Sequence, residues 1–202
     1  MHKINSLDDI PSNETIRRVL NRKRYHKLFL ATLRSTVIAV TVAAAVVVLI
    51  SWFALPAVRV TGTSMEPLLS NGNIVICNKF SDAERGDVIA MYYNKKVLLK
   101  RIIAVAGDEI DIDENGRVIL NGALLDEPYI TEFSKGECDI EFPFTVKESR
   151  CFVMGDNRDV SIDSRTSVFG CVSDENVLGV VWLRVYPFGL PHLIGNSDEK
   201  KD

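Results

Sequence analysis

Histidine is scarce in this chain of 202 residues, and the positions of its three histidines limit the catalysis that they can support. His2 and His26 precede a long uncharged apolar run, whereas His192 follows it. A Ser/His/Asp triad after that run would depend on His192, which lies in a proline-rich tail and is expected to be a surface loop residue. We therefore expect no histidine-based triad in the main part of the chain.

Closely spaced cysteines are also absent, which excludes the usual sequence pattern of a zinc ribbon. The four cysteines, Cys77, Cys138, Cys151 and Cys171, all follow the apolar run. They allow three full disulfide pairings, between which the sequence does not decide. Free thiols are an equal alternative, because Cys77 and Cys151 lie in apolar runs where cysteine behaves as a small buried hydrophobe. We expect no bound metal and no cofactor.

Net positive charge is confined to the amino terminus, which excludes nucleic acid as a partner of the rest of the chain. Residues 1–34 carry eight Lys and Arg and three Asp and Glu residues, a net charge of about +5, whereas the remaining residues carry about −8. A basic segment of this kind is typical of a region that lies against anionic lipid. We therefore expect membrane lipid among the partners.

Charged residues are missing altogether between Ser35 and Val58. About 20 apolar residues in a helix span a bilayer core of roughly 30 Å, so residues 35–56 are predicted to form a single transmembrane helix. Basic residues before it predict a cytoplasmic amino terminus, and Trp52 and Phe53 suit the far interface. The prediction is a single-pass type II protein of the cell membrane. A cleaved signal peptide fits less well, because its apolar core has roughly 7–15 residues.

These features divide the chain into four predicted parts. They are a cytoplasmic segment 1–34 with a basic helix that Ser12 or Asn13 caps, the membrane helix 35–56, an extracytoplasmic β-rich domain 57–190, and a polar tail 191–202.

After Pro56, short β-branched runs alternate with turn residues. The predicted strands are 58–61, 73–78, 87–93, 97–105, 109–112, 117–120, 151–154 and 177–186. Asn115-Gly116 and Asn121-Gly122 are typical of tight hairpin turns. We therefore predict a mainly β fold, an antiparallel sandwich or partly closed barrel, behind one amino-terminal transmembrane helix. Residues 126–148 are expected to be the least regular part.

Lys100 lies in the predicted strand 97–105, where strand alternation places it on one face with Leu98 and Ile102. Burial among apolar neighbours lowers the pKa of a lysine, by several units from about 10.4 when burial is complete. A neutral amine near pH 7 is what a general base requires. The alternative is a lysine that extends to solvent from an edge strand.

Ser64 lies in a short polar turn, after Gly62 and Thr63 and before Met65 and Pro67. Gly62 permits close approach of a backbone and Pro67 stiffens the exit, as suits a nucleophile whose backbone N–H binds an oxyanion. An ordinary solvated turn is the alternative. The chain that connects the predicted membrane helix to Ser64 spans at most roughly 30 Å when it is fully extended. Met65 is expected either to face the membrane or to lie in the core.

The segment 154–165 is a polar loop that follows an apolar strand. Most polar loops are solvated connections, but this one combines a sharp turn with carboxylates, arginines and two serine hydroxyls. One of the hydroxyls, of Ser161 or of Ser164, could orient the lysine amine as the third member of a triad does. Asp163 and Arg165 are expected to form an ion pair.

Four motifs follow one another in the sequence: Ser64-Met65-x-Pro67, Lys100-Arg101, Gly107-Asp108 and Gly155-Asp156-Asn157-Arg158-x-x-Ser161-x-Asp163-Ser164-Arg165. In this order, behind one membrane anchor, they resemble the sequence boxes of the type I bacterial signal peptidases, and in particular the Gram-positive branch. The resemblance covers most of residues 36–187. Any one motif is weak evidence, whereas the ordered set is specific.

The resemblance implies a membrane-bound serine endopeptidase that removes signal peptides from secretory preproteins, after small-x-small motifs such as Ala-x-Ala. It implies that Ser64 is the nucleophile, that its N–H helps to bind the oxyanion, and that Lys100 is the general base. The supporting residues would be Ser161, which orients the lysine, the ion pairs Asp163–Arg165 and Asp156–Arg101, and Met65 and Pro67 at the substrate.

Gly62 departs from the family pattern, because some relatives carry there a hydroxyl that serves as a second oxyanion donor. Here that donor is absent or comes from another group, such as Thr63. Two alternatives to the signal peptidase function stay open at this point. One is a self-cleaving Ser/Lys protease of the repressor type, which the membrane span disfavours, and the other is a membrane-anchored, non-enzymatic β domain that binds peptides or envelope partners.

Overall fold

The computed structural model describes residues 13–187 and 192–193. It divides into two compact units, Met1–Ser51 and Trp52–Asp202. The first is helical in its described part, and the second is built mainly of sheet. Predictions that concern His2, Ser12 as a helix cap and most of the tail 191–202 fall outside the described residues.

One long helix, α1, runs from Asn13 to Ala54. The predicted basic helix and the predicted membrane helix are therefore a single element, since the sequence has no proline or glycine in this range to interrupt it. Pro56 disfavours helical backbone in the residue before it and so ends the helix. The segment Leu20–Ser51 is long and apolar enough to cross a membrane, and none of its most apolar window is buried. That exposure distinguishes it from the core helix of a soluble protein.

Twelve strands make up the described sheet structure of the second unit. They are β1 (Ala57–Arg59), β2 (Ile74–Asn78), β3 (Val88–Tyr93), β4 (Lys96–Ala104), β5 (Glu109–Ile112), β6 (Val118–Leu120), β7 (Ala123–Leu124), β8 (Phe144–Thr145), β9 (Arg150–Met154), β10 (Val172–Ser173), β11 (Val177–Tyr186) and β12 (His192–Leu193). A short 3-10 helix, Asp174–Asn176, precedes β11.

The strands form two antiparallel sheets. The larger has eight strands in the order β1-β2-β11-β3-β4-β9-β10, with β12 paired to β11, and the smaller has four in the order β7-β6-β5-β8. Every pair among the described strands is antiparallel. This confirms the prediction of a mainly β, antiparallel fold behind one amino-terminal apolar helix.

The eight strands predicted from the sequence are all present, and no predicted end differs from the observed one by more than two residues. The four that sequence patterns missed, β7, β8, β10 and β12, have two residues each. A two-residue strand is too short to show an alternation of polar and apolar side chains. Within the predicted irregular region 126–148, only β8 is a strand.

Three apolar clusters hold the sheets together. One includes Val88 and Leu99 on one face of the larger sheet, and it also contains Met65 and Leu69 from the connection between β1 and β2. A second lies on the alternate positions of the same strands and includes Ile89 and Ile102. The third joins the two sheets; its members include Ile103, Phe152 and Met154 from the larger and Ile110, Val118 and Leu120 from the smaller. The first cluster fixes the segment that carries Ser64, because Met65 is one of its buried members.

Candidate active site

Lys100 lies in β4, between β3 and β9, and its side chain is only 3% exposed. Its neighbour on the adjacent strand β3 is Ile89, which is fully buried. Ile102, on the same face of β4 as Lys100, is also buried. Burial lowers the pKa of the Lys100 amine from its ordinary 10.5 to about 8, although the carboxylate of Asp163 opposes this shift. The alternative of a solvent-exposed lysine is therefore wrong, and the alternation of the strand correctly predicted burial.

A chain of short hydrogen bonds leads away from the Lys100 amine. The amine donates to the hydroxyl oxygen of Ser161 at 2.7 Å, and that hydroxyl donates to Oδ2 of Asp163 at 2.6 Å. Ser161 and Asp163 are 2% and 0% exposed, so no solvent competes for these bonds. Hydrogen bonds to ionised groups are stronger than neutral ones, and their strength rises in a buried setting. The position of the amine is therefore determined by the loop after β9.

Of the two hydroxyls that the sequence offered, Ser161 is the one that contacts the lysine. Ser164 lies on the other side of the loop, where its hydroxyl accepts the Val153 N–H at 3.0 Å and its own N–H donates to the Val153 carbonyl at 3.1 Å. Ser164 thus fastens the loop to β9.

Asp163 is anchored by Arg165 and by the backbone of the loop. The guanidinium of Arg165 donates through Nε to Oδ1 at 2.8 Å and through a terminal nitrogen to Oδ2 at 2.9 Å, and the Gly155 N–H donates to Oδ2 at 3.0 Å. Burial alone would raise the pKa of the Asp163 carboxyl, but the hydrogen bonds and the charge of Arg165 hold it below its ordinary value. The predicted ion pair is present, with both side chains fully buried.

Ser64 is half-buried and is connected to the same loop through its backbone. Its carbonyl oxygen accepts the Asn157 N–H at 3.0 Å, and the next residue, Met65, is 2% exposed in the core. Within the described residues, the Lys100 amine bonds to Ser161, and no hydrogen bond joins it to Ser64. The fold therefore connects both predicted catalytic residues to one loop.

Gly155 lies where the segment that carries Ser64 meets the part of the loop that carries Ser161. A Cβ at this position would lie 2.4 Å from the Ser161 hydroxyl oxygen and 2.5 Å from the Ser64 carbonyl oxygen. Real Cβ atoms do not approach oxygen so closely, so the contact requires glycine. The sequence indicated Gly155 only as a turn residue, and its role in the close packing of Ser64 against Ser161 was missed.

A second ion pair supports the loop from the side of β4. Arg101 donates two parallel hydrogen bonds to Asp156, at 2.8 and 2.7 Å, and a third to the Gly86 carbonyl at 2.7 Å. Burial would lower the pKa of Arg101, but the hydrogen bonds and charge of Asp156 raise it above its ordinary value. Since Arg101 and Lys100 are consecutive in β4, their side chains leave opposite faces of the strand and contact the same loop at two points, Asp156 and Ser161. The pairing inferred from the family resemblance is present.

Sequence reasoning missed a third buried ion pair, between Arg158 and Glu127. Both side chains are fully buried, and Arg158 also donates from Nε to the Gly155 carbonyl at 3.1 Å. The hydroxyl of Tyr129 donates to Glu127 at 2.9 Å, and the guanidinium of Arg101 lies 3.9 Å from the centre of the Tyr129 ring. Glu127 belongs to the region predicted as least regular, where no periodic pattern signals burial.

The other predicted residues have mixed outcomes. Met65 lies in the core, so the suggestion that it faces the membrane is wrong, and its role at the substrate stays a prediction. Pro67 is exposed. Gly62 has a φ of +91° with open space around its Cα, which suits the left-handed region that glycine favours. The backbone of His192 pairs with β11 in β12, so the expected loop there is a short strand.

All four cysteines are free thiols in the structure, which decides the question of pairing that the sequence left open. Burial raises the pKa of Cys77 to about 11 and that of Cys151 to about 12, which keeps both thiols protonated and inert at neutral pH. Among the described residues, no cluster of His, Cys, Asp and Glu could hold a metal ion.

A surface cavity of about 490 Å³ lies along β1 and the first half of β4. Its lining is mostly apolar and includes Val58, Val97, Leu98 and Leu178, together with Thr61 on the segment that leads to Ser64. The cavity is therefore lined by the strand of Lys100 and by the approach to Ser64, and it offers room for small apolar side chains.

Known proteins resemble this chain over most of its length. A profile of the family Signal peptidase, peptidase S26, matches residues 33–186. The chain is 32% identical over 162 residues to Signal peptidase I P of Bacillus subtilis subsp. natto, which covers 74% of this chain and 86% of that protein. It is 31% identical over 173 residues to Signal peptidase IB of Staphylococcus aureus, which covers 75% and 88%. A solved structure of a signal peptidase I from Enterococcus faecalis V583 is 32% identical, covers 50% of this chain and 97% of its own, and has a TM-score of 0.42.

The family profile spans both predicted catalytic residues and the loop after β9, and the curated relatives exceed 30% identity over about three quarters of the chain. The chain therefore belongs to the signal peptidase family, peptidase S26, and is a serine endopeptidase that removes signal peptides from secretory preproteins.

Proposed function

We propose that Ser64 and Lys100 form the catalytic dyad of this signal peptidase. The observation that carries the proposal is the buried Lys100 amine, whose pKa of about 8 leaves roughly one amine in ten neutral at pH 7, against roughly one in three thousand for an ordinary lysine. A buried lysine with a lowered pKa is a recognised general base for a serine hydroxyl.

The proposed reaction has two stages. In the first, the Ser64 oxygen attacks the scissile carbonyl, its proton passes to the neutral Lys100 amine, and the Ser64 N–H binds the developing oxyanion. The resulting ammonium then protonates the leaving amine, which departs as the mature protein and leaves an ester on Ser64. In the second stage, Lys100 takes a proton from water, the hydroxide attacks the ester, and Ser64 regains its proton from the lysine.

Ser161 has a positioning role in this scheme. A neutral amine has two hydrogens and one lone pair. When one hydrogen is donated to Ser161, the lone pair remains available to accept the proton of Ser64. Asp163, bonded to Arg165, keeps the Ser161 hydroxyl pointing away from the amine, so that its oxygen presents a lone pair to the lysine. The arrangement fixes the direction of proton transfer.

The cavity along β1 and β4 supports the expected preference for small-x-small sequences. Its apolar lining includes Val97 and Leu98, three and two residues before Lys100 in the same strand. An extended substrate places every second side chain on one face, so two small side chains at alternate positions would enter the same apolar surface. Pro67 and the small exposed part of Met65 lie next to Ser64 in the sequence and are proposed to contact the peptide there.

The helix α1 supports membrane anchoring with a single span. Its apolar segment is long enough, and the basic residues before that segment favour a cytoplasmic amino terminus, which leaves the sheet domain outside. Ser64 follows the last residue of α1, Ala54, by ten residues, so at most roughly 35 Å of chain separates them. The nucleophile would thus act close to the bilayer, where signal peptides lie. The proposed boundaries are a cytoplasmic segment 1–34, the span 35–56, the peptidase domain 57–190 and a polar tail.

Cleavage of a labelled preprotein with an Ala-x-Ala site by the full-length protein in detergent tests the proposal. Ser64→Ala and Lys100→Ala should each abolish cleavage while the domain still unfolds in a cooperative thermal transition, which shows that it is folded. Ser70→Ala, at an exposed serine of the same connection, is the matched control and should cleave at the wild-type rate. Substantial cleavage by purified Lys100→Ala would contradict the dyad. A single internal cut in the enzyme itself, with added preproteins intact, would favour the repressor-type alternative.

A further inference from the structure

The connection between β7 and β8 passes over the loop after β9, residues 154–165, and forms hydrogen bonds at both of its ends to this loop or to Ser167 just beyond it. We call its residues 134–139 the strap. At one end the hydroxyl of Ser134 donates to Asp159 at 3.2 Å. At the other end the carboxylate of Asp139 accepts the N–H and the hydroxyl of Ser167 at 2.5 and 2.8 Å, and the Asp139 N–H donates to the Arg165 carbonyl at 3.2 Å.

Between these ends the strap provides hydrogen-bond acceptors for the guanidinium of Arg165. One terminal nitrogen of Arg165 donates to the carbonyl oxygens of Lys135 at 2.8 Å and Ser134 at 3.3 Å. The rest of the same guanidinium binds both oxygens of Asp163. Arg165 is fully buried, so without the strap this nitrogen would lose its partners in a place where an unpaired donor is costly.

Two glycines hold the strap tightly on its two sides. A Cβ at Gly136 would lie 2.5 Å from the Arg158 carbonyl oxygen and 2.7 Å from the Arg165 guanidinium. A Cβ at Gly116, in the turn between β5 and β6, would lie 2.3 Å from the carbonyl carbon of Ser134 and 2.7 Å from the backbone nitrogen of Lys135. The strap therefore lies between the β5–β6 turn and Arg165, with no room for a side chain at either contact.

We propose that the strap is a positioning segment of the active site, through which the β5–β6 turn at Gly116 holds Arg165 against Asp163. Asp163 in turn fixes Ser161, and Ser161 fixes the Lys100 amine. This inference deepens the proposed Ser/Lys dyad and rests on it. It assigns a catalytic purpose to the smaller sheet, which carries none of the predicted catalytic residues.

Displacement of the strap has consequences that mere loss of stability does not produce. The contacts of the strap reach Arg165, whereas the cavity along β1 and β4 is lined by other residues. The catalytic rate kcat should therefore fall while KM stays constant. The charged groups that face Lys100 are Asp163, Arg165 and Asp156, and the positive charge of Arg165 helps to keep its pKa low. If Arg165 moves away from Lys100, the pKa of Lys100 should rise, and the ascending limb of the pH–rate profile should move to higher pH.

The chain offers a matched pair of variants for the test. Gly116 and Gly122 lie in the two Asn-Gly turns of the smaller sheet, with φ angles of +80° and +81°. Alanine is strained equally in both backbones, but a Cβ at Gly122 has nothing within 4 Å, whereas a Cβ at Gly116 strikes the strap. Backbone strain should therefore destabilise Gly116→Ala and Gly122→Ala to a similar degree. The two variants then differ only in whether the added Cβ contacts the strap.

The experiment measures kcat, KM and the pH–rate profile of both full-length variants with the labelled preprotein, at a temperature where both are folded. We expect Gly116→Ala to lose roughly ten- to a hundredfold in kcat with KM within twofold of wild type, and its pH midpoint to rise. Gly122→Ala should keep the wild-type values. Equal kcat and equal pH midpoints in the two variants, or a change confined to KM, would overturn the inference.

Two further measurements decide the outcome if Gly116→Ala does not fold or if cleavage fails. Asp139→Ala removes an exposed anchor of the strap, so it should fold and lower kcat several-fold; a wild-type kcat in this variant counts against the strap. If the wild-type protein cleaves no preprotein, the proposed function fails on its own. An NMR titration of ¹³C-labelled Lys100 then still compares Asp139→Ala with Gly122→Ala, and an unchanged titration in both would refute the positioning role.

Discussion

Lys100 is held where its charged form is costly, and replacement by methionine measures that cost. Methionine has nearly the same length and no charge. The pKa of Lys100 is about 8 in the folded protein against an ordinary 10.5. A difference of this size corresponds to about 3 kcal/mol of unfavourable free energy for the folded state when the amine is charged.

The sign of the effect depends on pH. Below about pH 8 the amine is charged in the folded and unfolded states, so the cost is present in full. Between about pH 8 and 10.5 the unfolded chain binds more protons than the folded one, and the stability of the wild type therefore rises with pH. Lys100→Met abolishes this rise. It also removes the hydrogen bond to Ser161, which contributes about 1 kcal/mol.

At pH 7, Lys100→Met should therefore be more stable than wild type by about 2 kcal/mol, although it is inactive. At pH 10 the advantage should shrink to nothing or reverse. Denaturant unfolding of the full chain in detergent, followed by tryptophan fluorescence, gives both values. Lys96→Met, at an exposed position of the same strand, is the control and should change stability by no more than about 0.5 kcal/mol at either pH. A Lys100→Met protein that is less stable than wild type at pH 7, by an amount that does not change with pH, would refute the burial argument.

Three other substitutions test the loop after β9. Gly155→Ala should lower kcat/KM for preprotein cleavage by roughly a hundredfold or more, since the added Cβ must displace Ser64 or Ser161; wild-type cleavage would show that the close contact is dispensable. Asp163→Asn should lower kcat and move the ascending limb of the pH–rate profile to lower pH, because a negative charge that raises the pKa of the lysine is removed; a limb that moves upward contradicts this reasoning. Glu127→Gln leaves a buried arginine without its ionic partner and should cost about 3 to 5 kcal/mol in a denaturant titration, and a cost below about 1 kcal/mol would show that the pair is not needed.

The sequence predicted those parts of the fold that depend on local periodicity. The eight longer strands and the burial of Lys100 follow from alternation within single segments, and the Asn-Gly turns follow from the conformational freedom of glycine. Residue patterns alone left Ser161 and Ser164 as candidates for the contact with Lys100, and only the family resemblance assigned it to Ser161. Which hydroxyl reaches a lysine 61 residues earlier is decided by how β9 and its loop pack.

Other features of the site depend on contacts between distant segments and have no local pattern. Glu127 resembles any surface glutamate in an irregular region, and only the fold shows that it is buried against Arg158. The strap contacts are mainly made by backbone carbonyls and glycines, whose identity does not reveal what lies against them. Met65 was ambiguous for a related reason, since one apolar residue in a polar turn fits a core and an apolar surface equally well.

The pH dependence of kcat/KM for preprotein cleavage by the wild-type enzyme tests the central claim most directly, because it reports the protonation state that the free enzyme needs. The dyad predicts one ascending limb, with a slope of about tenfold per pH unit and a midpoint near 8. A profile that is flat from about pH 6 to 9, or one whose midpoint lies near the 10.5 of an ordinary lysine, would contradict Lys100 as the general base.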